Sequence, residues 1–196
     1  MAQVSPGSRA PQQQTPQQQQ QTMPSMGNQV PDATNNSTQQ NMSDQAFVSK
    51  ALEGGNAEVQ LGQLAQQKSQ SSDVKKFGEK MVQDHTLLGD QMKPIGQQLG
   101  VKEPTKLAKK DRELVAKLQT LSGQEFDDAY IRAMVKDHKQ DLNEFKEEAS
   151  MTQNPALKQA AQQGSQVISQ HLAMIDQIAQ SHNVATEGKT KASSAQ

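Results

Sequence analysis

Three histidines and one glutamate hold most of the chemistry open to this chain. His85, His138 and His171 each stand in an apolar stripe at helical spacing. Met81, Val82 and Leu88 flank the first, Met134, Val135 and Leu142 the second, and Val167, Ile168, Met174 and Ile175 the third. Glu58 falls between Gly54-Gly55 and Leu61-Gly62, on the same kind of stripe. Residues three, four and seven apart share one helix face, so all four polar side chains are expected inside. Buried polar groups are costly unless they satisfy one another. Two arrangements would do so. In one, the Glu58 carboxylate accepts hydrogen bonds from imidazoles and the network fixes helix register. In the other, Glu58, His85, His138 and His171 ligate a transition metal, a donor set that suits zinc, copper or non-haem iron. Asp141, one turn after His138, would be a further ligand or a partner of one. Met81, Met134 and Met174 lie near the histidine levels and could favour copper, but methionine at this spacing is far more often core.

Counting along the chain puts the four at one depth. Glu58 is 13 residues before Ser71 and His85 is 14 after it. His138 is 15 residues before Gln153 and His171 is 18 after it. With a rise of about 1.5 Å per residue, the second mismatch is roughly 4–5 Å, within side-chain reach.

Other chemistries lack their residues. A di-iron carboxylate centre normally takes two Glu-x-x-His pairs, and the residues three before these histidines are Val82, Val135 and Ile168. G-x-S-x-G, P-loop and H-E-x-x-H motifs do not occur. With no cysteine, disulfides, thiolate metal sites and cysteine nucleophiles are excluded. Asp84 and Asp137 directly precede His85 and His138, so each is turned about 100° from its histidine and is expected at solvent or a helix boundary. His182, near a helix end, is expected at the surface. No catalytic residue is assigned. The expected role is non-enzymatic, structural or stress-related; metal binding at the Glu/His3 set is the alternative, and a metal-dependent oxidoreductase a third reading.

The elements that must position these residues are helices. Residues 1–42 hold Gln12 to Gln14, Gln17 to Gln21 and five prolines, with Arg9 and Asp32 as the only charges. Such a segment cannot bury enough apolar surface to order itself and reads as a disordered Gln/Pro-rich spacer. The folded domain is expected over 43–184, with a frayed polar tail over 185–196. Its first long helix runs from about Asp44 to Ser69, N-capped by Ser43, with small residues at Gly54, Gly55 and Gly62 for close approach of a neighbour. The second runs from about Asp73 to Leu99, kinked at Pro94 and ended by Gly100. A connection with a short amphipathic helix follows, carrying Leu107, Leu114, Val115, Leu118 and Leu121 on one side. Ser122 and Glu125 resemble a capping box opening a third helix from about Gln124 to Ser150. Asn154-Pro155 opens a fourth, to about His182. Short first and last turns and a long middle connection predict an all-α, ferritin-like antiparallel four-helix bundle whose second and third long helices run parallel.

Lys and Arg total 20 against 21 Asp and Glu, for a net charge of −1, and the two signs interleave along the helices. A solvated charged face follows, and nucleic acid is excluded as a main partner. No run of about 18 apolar residues could span a membrane. The first 30 residues show neither a basic start nor an apolar core of a signal peptide. The chain therefore reads as cytoplasmic or as the mature form of an exported protein, and its polar low-complexity start suits the second.

Together, Asp44-x-x-Phe47, Ala57-Glu58-Val59-x-Leu61-Gly62-x-Leu64-Ala65, Val74-Lys75-x-Phe77, Met81-Val82-x-Asp84-His85, Ser122-Gly123-x-x-Phe126-Asp127-x-x-Tyr130, Met134-Val135-x-Asp137-His138 and His171-Leu172 resemble domain-of-unknown-function family 4142 over about residues 43–183. The resemblance implies a ferritin-like bundle in a mainly bacterial, usually exported protein of the periplasm or cell envelope, often labelled a membrane or outer-membrane protein. It implies no settled activity, and fold likeness to ferritin confers no iron chemistry.

Overall fold

Apolar residues at helical spacing become five helices in the computed structural model, which describes residues 33–186. These are α1 (Ala33–Lys68), α2 (Ser72–Leu99), α3 (Lys109–Thr120), α4 (Gly123–Met151) and α5 (Pro155–Ser181). Among the described residues there is no strand.

The first helix starts earlier than expected. Residues 33–42, assigned above to the disordered tail, are the opening turns of α1, and Ser43 lies within it rather than capping it. The stretch from Ala33 to Met42 contains neither Pro nor Gly. Extending an existing helix adds a hydrogen bond for each residue fixed, so no separate nucleus is needed. Gln40 Nε2 also donates to Asp44 Oδ1 at 2.8 Å, one turn on. The rest of the expected tail, residues 1–32, and residues 187–196 lie outside the described part.

The helix ends follow local chemistry. Asn154 caps α5 by accepting from the backbone N–H groups of Ala156 and Leu157, and Pro155 opens the helix. Gly100, at φ 76°, ends α2 with its N–H on the Gln97 carbonyl, while the Val101 N–H reaches Gly96. Pro94 is contained within α2, which continues beyond it. The capping box expected at Ser122 and Glu125 does not form, since Ser122 makes no side-chain cap bond. Ser71 does not cap α2 either; its hydroxyl is turned to the Asp73 carboxylate.

α1 packs along α2 and α4 along α5, and the pairs join through α2 with α5 and α1 with α4. The Thr152 hydroxyl, just past α4, donates to Asp44 near the start of α1 at 3.0 Å, so these helices run antiparallel. α1 and α2 are antiparallel through their short turn, which leaves α2 and α4 parallel. α3 returns alongside, and Lys68 at the end of α1 donates to the Gln119 carbonyl. His182, expected at the surface, is half-buried instead, with Nε2 3.1 Å from both Asp73 oxygens.

Apolar packing forms two clusters. One holds Leu61, Phe77, Met81, Tyr130, Met134 and Ile175 with their neighbours. The other holds Val48, Leu52, Met92, Ile95, Leu157 and Ala160, with Phe47 and Phe145 against it. Close approach of α1 and α2 occurs at Gly62 and Gly78. A Cβ on either would lie 2.6 Å from the other's carbonyl oxygen. Gly54 and Gly55, also expected to admit a neighbour, meet nothing within 4 Å.

One titration is built into the Asp44 end. Glu148 is buried, and burial followed by the Asp44 charge pushes its carboxyl up to about 7. Folding therefore favours the protonated acid. The associated stability is fully present below the unfolded value of 4.5 and is lost as pH rises through about 7. Glu148→Gln should be more stable than the parent at pH 8 by on the order of 1 kcal/mol after solvent screening, with little gain at pH 4. Urea denaturation at the two pH values checks this; an equal effect at both would remove Glu148 as the cause.

Candidate metal centre

Between the two apolar clusters the helices carry a polar layer. α1 supplies Glu58, α2 His85, α4 His138 and α5 His171, and all four are buried, with 5% exposure at most. The imidazole centroids form a triangle with sides of 5.2, 5.5 and 5.9 Å. Each ring offers a nitrogen such that the three lie within 4.8 Å of one another. Phe77 closes one side, its ring centroid 6.1 Å from those of both His138 and His171.

Hydrogen bonds at the back of each ring decide which nitrogen is bare. His138 Nδ1 is 2.9 Å from the Met134 carbonyl, which can only accept, so Nδ1 carries the proton. His171 Nε2 donates to Asp84 Oδ2 at 2.7 Å. Burial would raise Asp84, but the Lys80 ammonium and His171 hold it below the usual carboxylate range, so it accepts. His85 Nδ1 lies 2.8 Å from Glu58 Oε2. Burial pushes Glu58 up to about 7, against the pull of His138. In its carboxylate form it accepts the His85 Nδ1 proton. The opposite nitrogens, His85 Nε2, His138 Nε2 and His171 Nδ1, are buried and have no hydrogen-bond partner. Burial also pushes His85 and His171 down to about 4 and lowers His138, so the rings are neutral near pH 7.

All four expected residues thus come together, with Glu58 in a different position from the imidazoles. Its Oε2 is on the back of His85, its Oε1 is 3.6 Å from His138 Nδ1, and its carboxylate groups with Asp137 and Asp141. Of the imidazole hydrogen bonds expected on Glu58, the one from His85 Nδ1 is present, while His138 and His171 turn to the Met134 carbonyl and to Asp84. Asp84, expected at solvent or a boundary, is half-buried and orients His171 across the α2–α5 contact. Asp137 likewise turns inward onto a cavity of about 60 Å³ whose walls include Gly54, Gly55, Glu58, His85, Gly89 and Asp141. The repeated Asp-His pairs at 84–85 and 137–138 were the available signal for both aspartates. Asp111, from α3, also lines this cavity and had no signal beyond its place in a connection.

A family model described as "Domain of unknown function (DUF4142)" matches residues 29–178. The chain belongs to the DUF4142 family. That match spans all but the last three residues of α5 and includes every residue of the polar layer. A crystal structure described as that of "putative secreted protein DUF305 from Streptomyces coelicolor" is similar to this DUF4142 chain with a TM-score of 0.63. The likeness covers 74% of this chain and 98% of that one at 11% identity, and so concerns the fold alone. No curated protein matches the chain. No helix among the described residues is long and apolar enough to cross a membrane.

Proposed function

We propose that this DUF4142 domain is a binding protein for one divalent transition ion, held by His85, His138 and His171 inside a ferritin-like four-helix bundle that works outside the cytoplasm. One observation carries the reading. The three rings bring nitrogens within 4.8 Å of one another, and each ring keeps one buried nitrogen without a partner, the one left over when it donates backwards. Three buried acceptors without a donor are costly, and a cation removes that cost. The partners behind them are of the kind that orient ligating histidines: carboxylates for His85 and His171, a backbone carbonyl for His138. Neutral imidazoles without sulfur suit zinc, copper(II) or iron(II). Glu58 then acts as the orienting partner of His85 rather than as a fourth ligand.

We read the role as binding rather than turnover, on the strength of the three bare nitrogens. An exported setting is supported by the description of the DUF305 neighbour as secreted. The test is cobalt(II) loading of the full chain, purified without an affinity tag. The expected result is one cobalt per chain, with visible bands of a low-symmetry nitrogen site that zinc abolishes. Protein that retains no cobalt or zinc after gel filtration would end the reading.

A further inference from the structure

The imidazoles leave part of the polar layer unused. Glu58, Asp137 and Asp141 each place a carboxylate oxygen within 4.8 Å of the others, on the wall of the cavity that all five helices line. Two buried oxygens without a partner, the second outside the trio, point to something held there. Glu58 Oε1 is buried and has no hydrogen-bond partner. Asp111, 5% exposed, lines the same cavity, and its Oδ2 is also buried without a partner. The nearest cation is Lys110. Its ammonium stays 3.8 Å from Asp137 Oδ1 and 3.8 Å from Asp111 Oδ1, beyond hydrogen-bond length, on a side chain 58% exposed. Lys50, also on the wall, is committed to Glu144 at 2.5 Å.

We propose that the cavity floor is a second site, for a hard divalent cation held by the oxygens of Glu58, Asp137 and Asp141, with Asp111 beside it. The donors are all oxygen, the set that selects magnesium, calcium or manganese over softer ions. Any two ligands of such an ion lie no more than about 5 Å apart, and the three oxygens here are within 4.8 Å of one another. Glu58 would then serve both sites, one oxygen on His85 and the other on the cation. The second site does not depend on the imidazole site being filled.

The test is a manganese(II) titration of the full chain at pH 7.5, followed by electron paramagnetic resonance. The parent should bind one manganese saturably. Asp137→Asn/Asp141→Asn should weaken it at least tenfold, while His171→Ala stays within about threefold of the parent. Lys110→Ala, a change on an exposed stem, should tighten it severalfold, which keeps the test open if the double variant misfolds. No saturable manganese in the parent, or loss with His171→Ala and not with the aspartate changes, overturns the proposal. Cobalt bands retained in the Asp137→Asn/Asp141→Asn variant would show that the imidazole site stands whatever happens to this one.

Discussion

Replacing His85 and His138 together with alanine is expected to abolish stoichiometric transition-metal binding while leaving a helical protein. The two rings supply two of the three bare nitrogens, and the remaining His171 cannot hold an ion tightly by itself. Loss of a partner behind a ligating histidine commonly costs 10–100-fold in affinity, so loss of two ligands should exceed about 1000-fold. Glu58→Gln separates orientation from ligation. It keeps the length of the side chain but no longer offers His85 a carboxylate, and should weaken binding by about 10–100-fold. Folding should survive the double change, because Glu58, already raised to about 7, can take up a proton when its imidazole partner is gone. Asp84 keeps Lys80 at 2.8 Å in either variant. Isothermal titration with zinc, paired with far-ultraviolet circular dichroism, reads both quantities. A double variant that still binds one zinc per chain with unchanged affinity would remove these histidines from the metal site.

Gly62→Ala is expected to lower the melting temperature by about 4–12 °C, a loss of roughly 2–3 kcal/mol. The added methyl would lie 2.6 Å from the Gly78 carbonyl oxygen, 3.0 Å from Val82 Cγ2 and 3.1 Å from Met81 Cβ. The first of these is backbone and cannot rotate away, so α1 and α2 must separate. Alanine is intrinsically the better helix former by about 1 kcal/mol, which makes a net loss a strict test of the clash. Gly54→Ala, on the same helix, meets nothing within 4 Å and should show that propensity gain instead. Thermal melts of the two variants should move in opposite directions, and a Gly62→Ala protein as stable as its parent would contradict the crossing geometry.

Much of this architecture was readable from residue spacing. The four long helices were placed to within a few residues at most ends, because their stripes are long and their breaks at Ser71, Gly100 and Asn154-Pro155 are chemically distinct. The convergence of Glu58, His85, His138 and His171 was readable too, since depth in an antiparallel pair is a matter of counting from the turn. What escaped was set between helices. The 100° turn away from His85 puts Asp84 at solvent or a helix boundary, and it lies at the boundary with α5; the hydrogen bond that His171 donates to it there is what spacing does not show. Asp137, expected at solvent or a boundary and partly buried, gives no sign in spacing of the cavity it lines, and no spacing rule could place Asp111 of α3 there. Gly54-Gly55 and Gly62 look alike in sequence, and only the course of α2 decides which of them is crowded.

Gly54, Gly55 and Gly89 edge the cavity that leads to His85, and none of them would meet a neighbour if given a side chain. Along that stretch the wall is bare backbone with no rotamer to swing shut, and the movable side chains, Lys50, Glu53, Gln91 and Lys110 among them, stand elsewhere on it. Passage of an ion past the glycines is then governed by how far apart α1 and α2 stand there and by the charge it meets on the way in. Adding bulk at that rim should therefore slow both uptake and release while leaving the affinity of the inner ligands nearly unchanged.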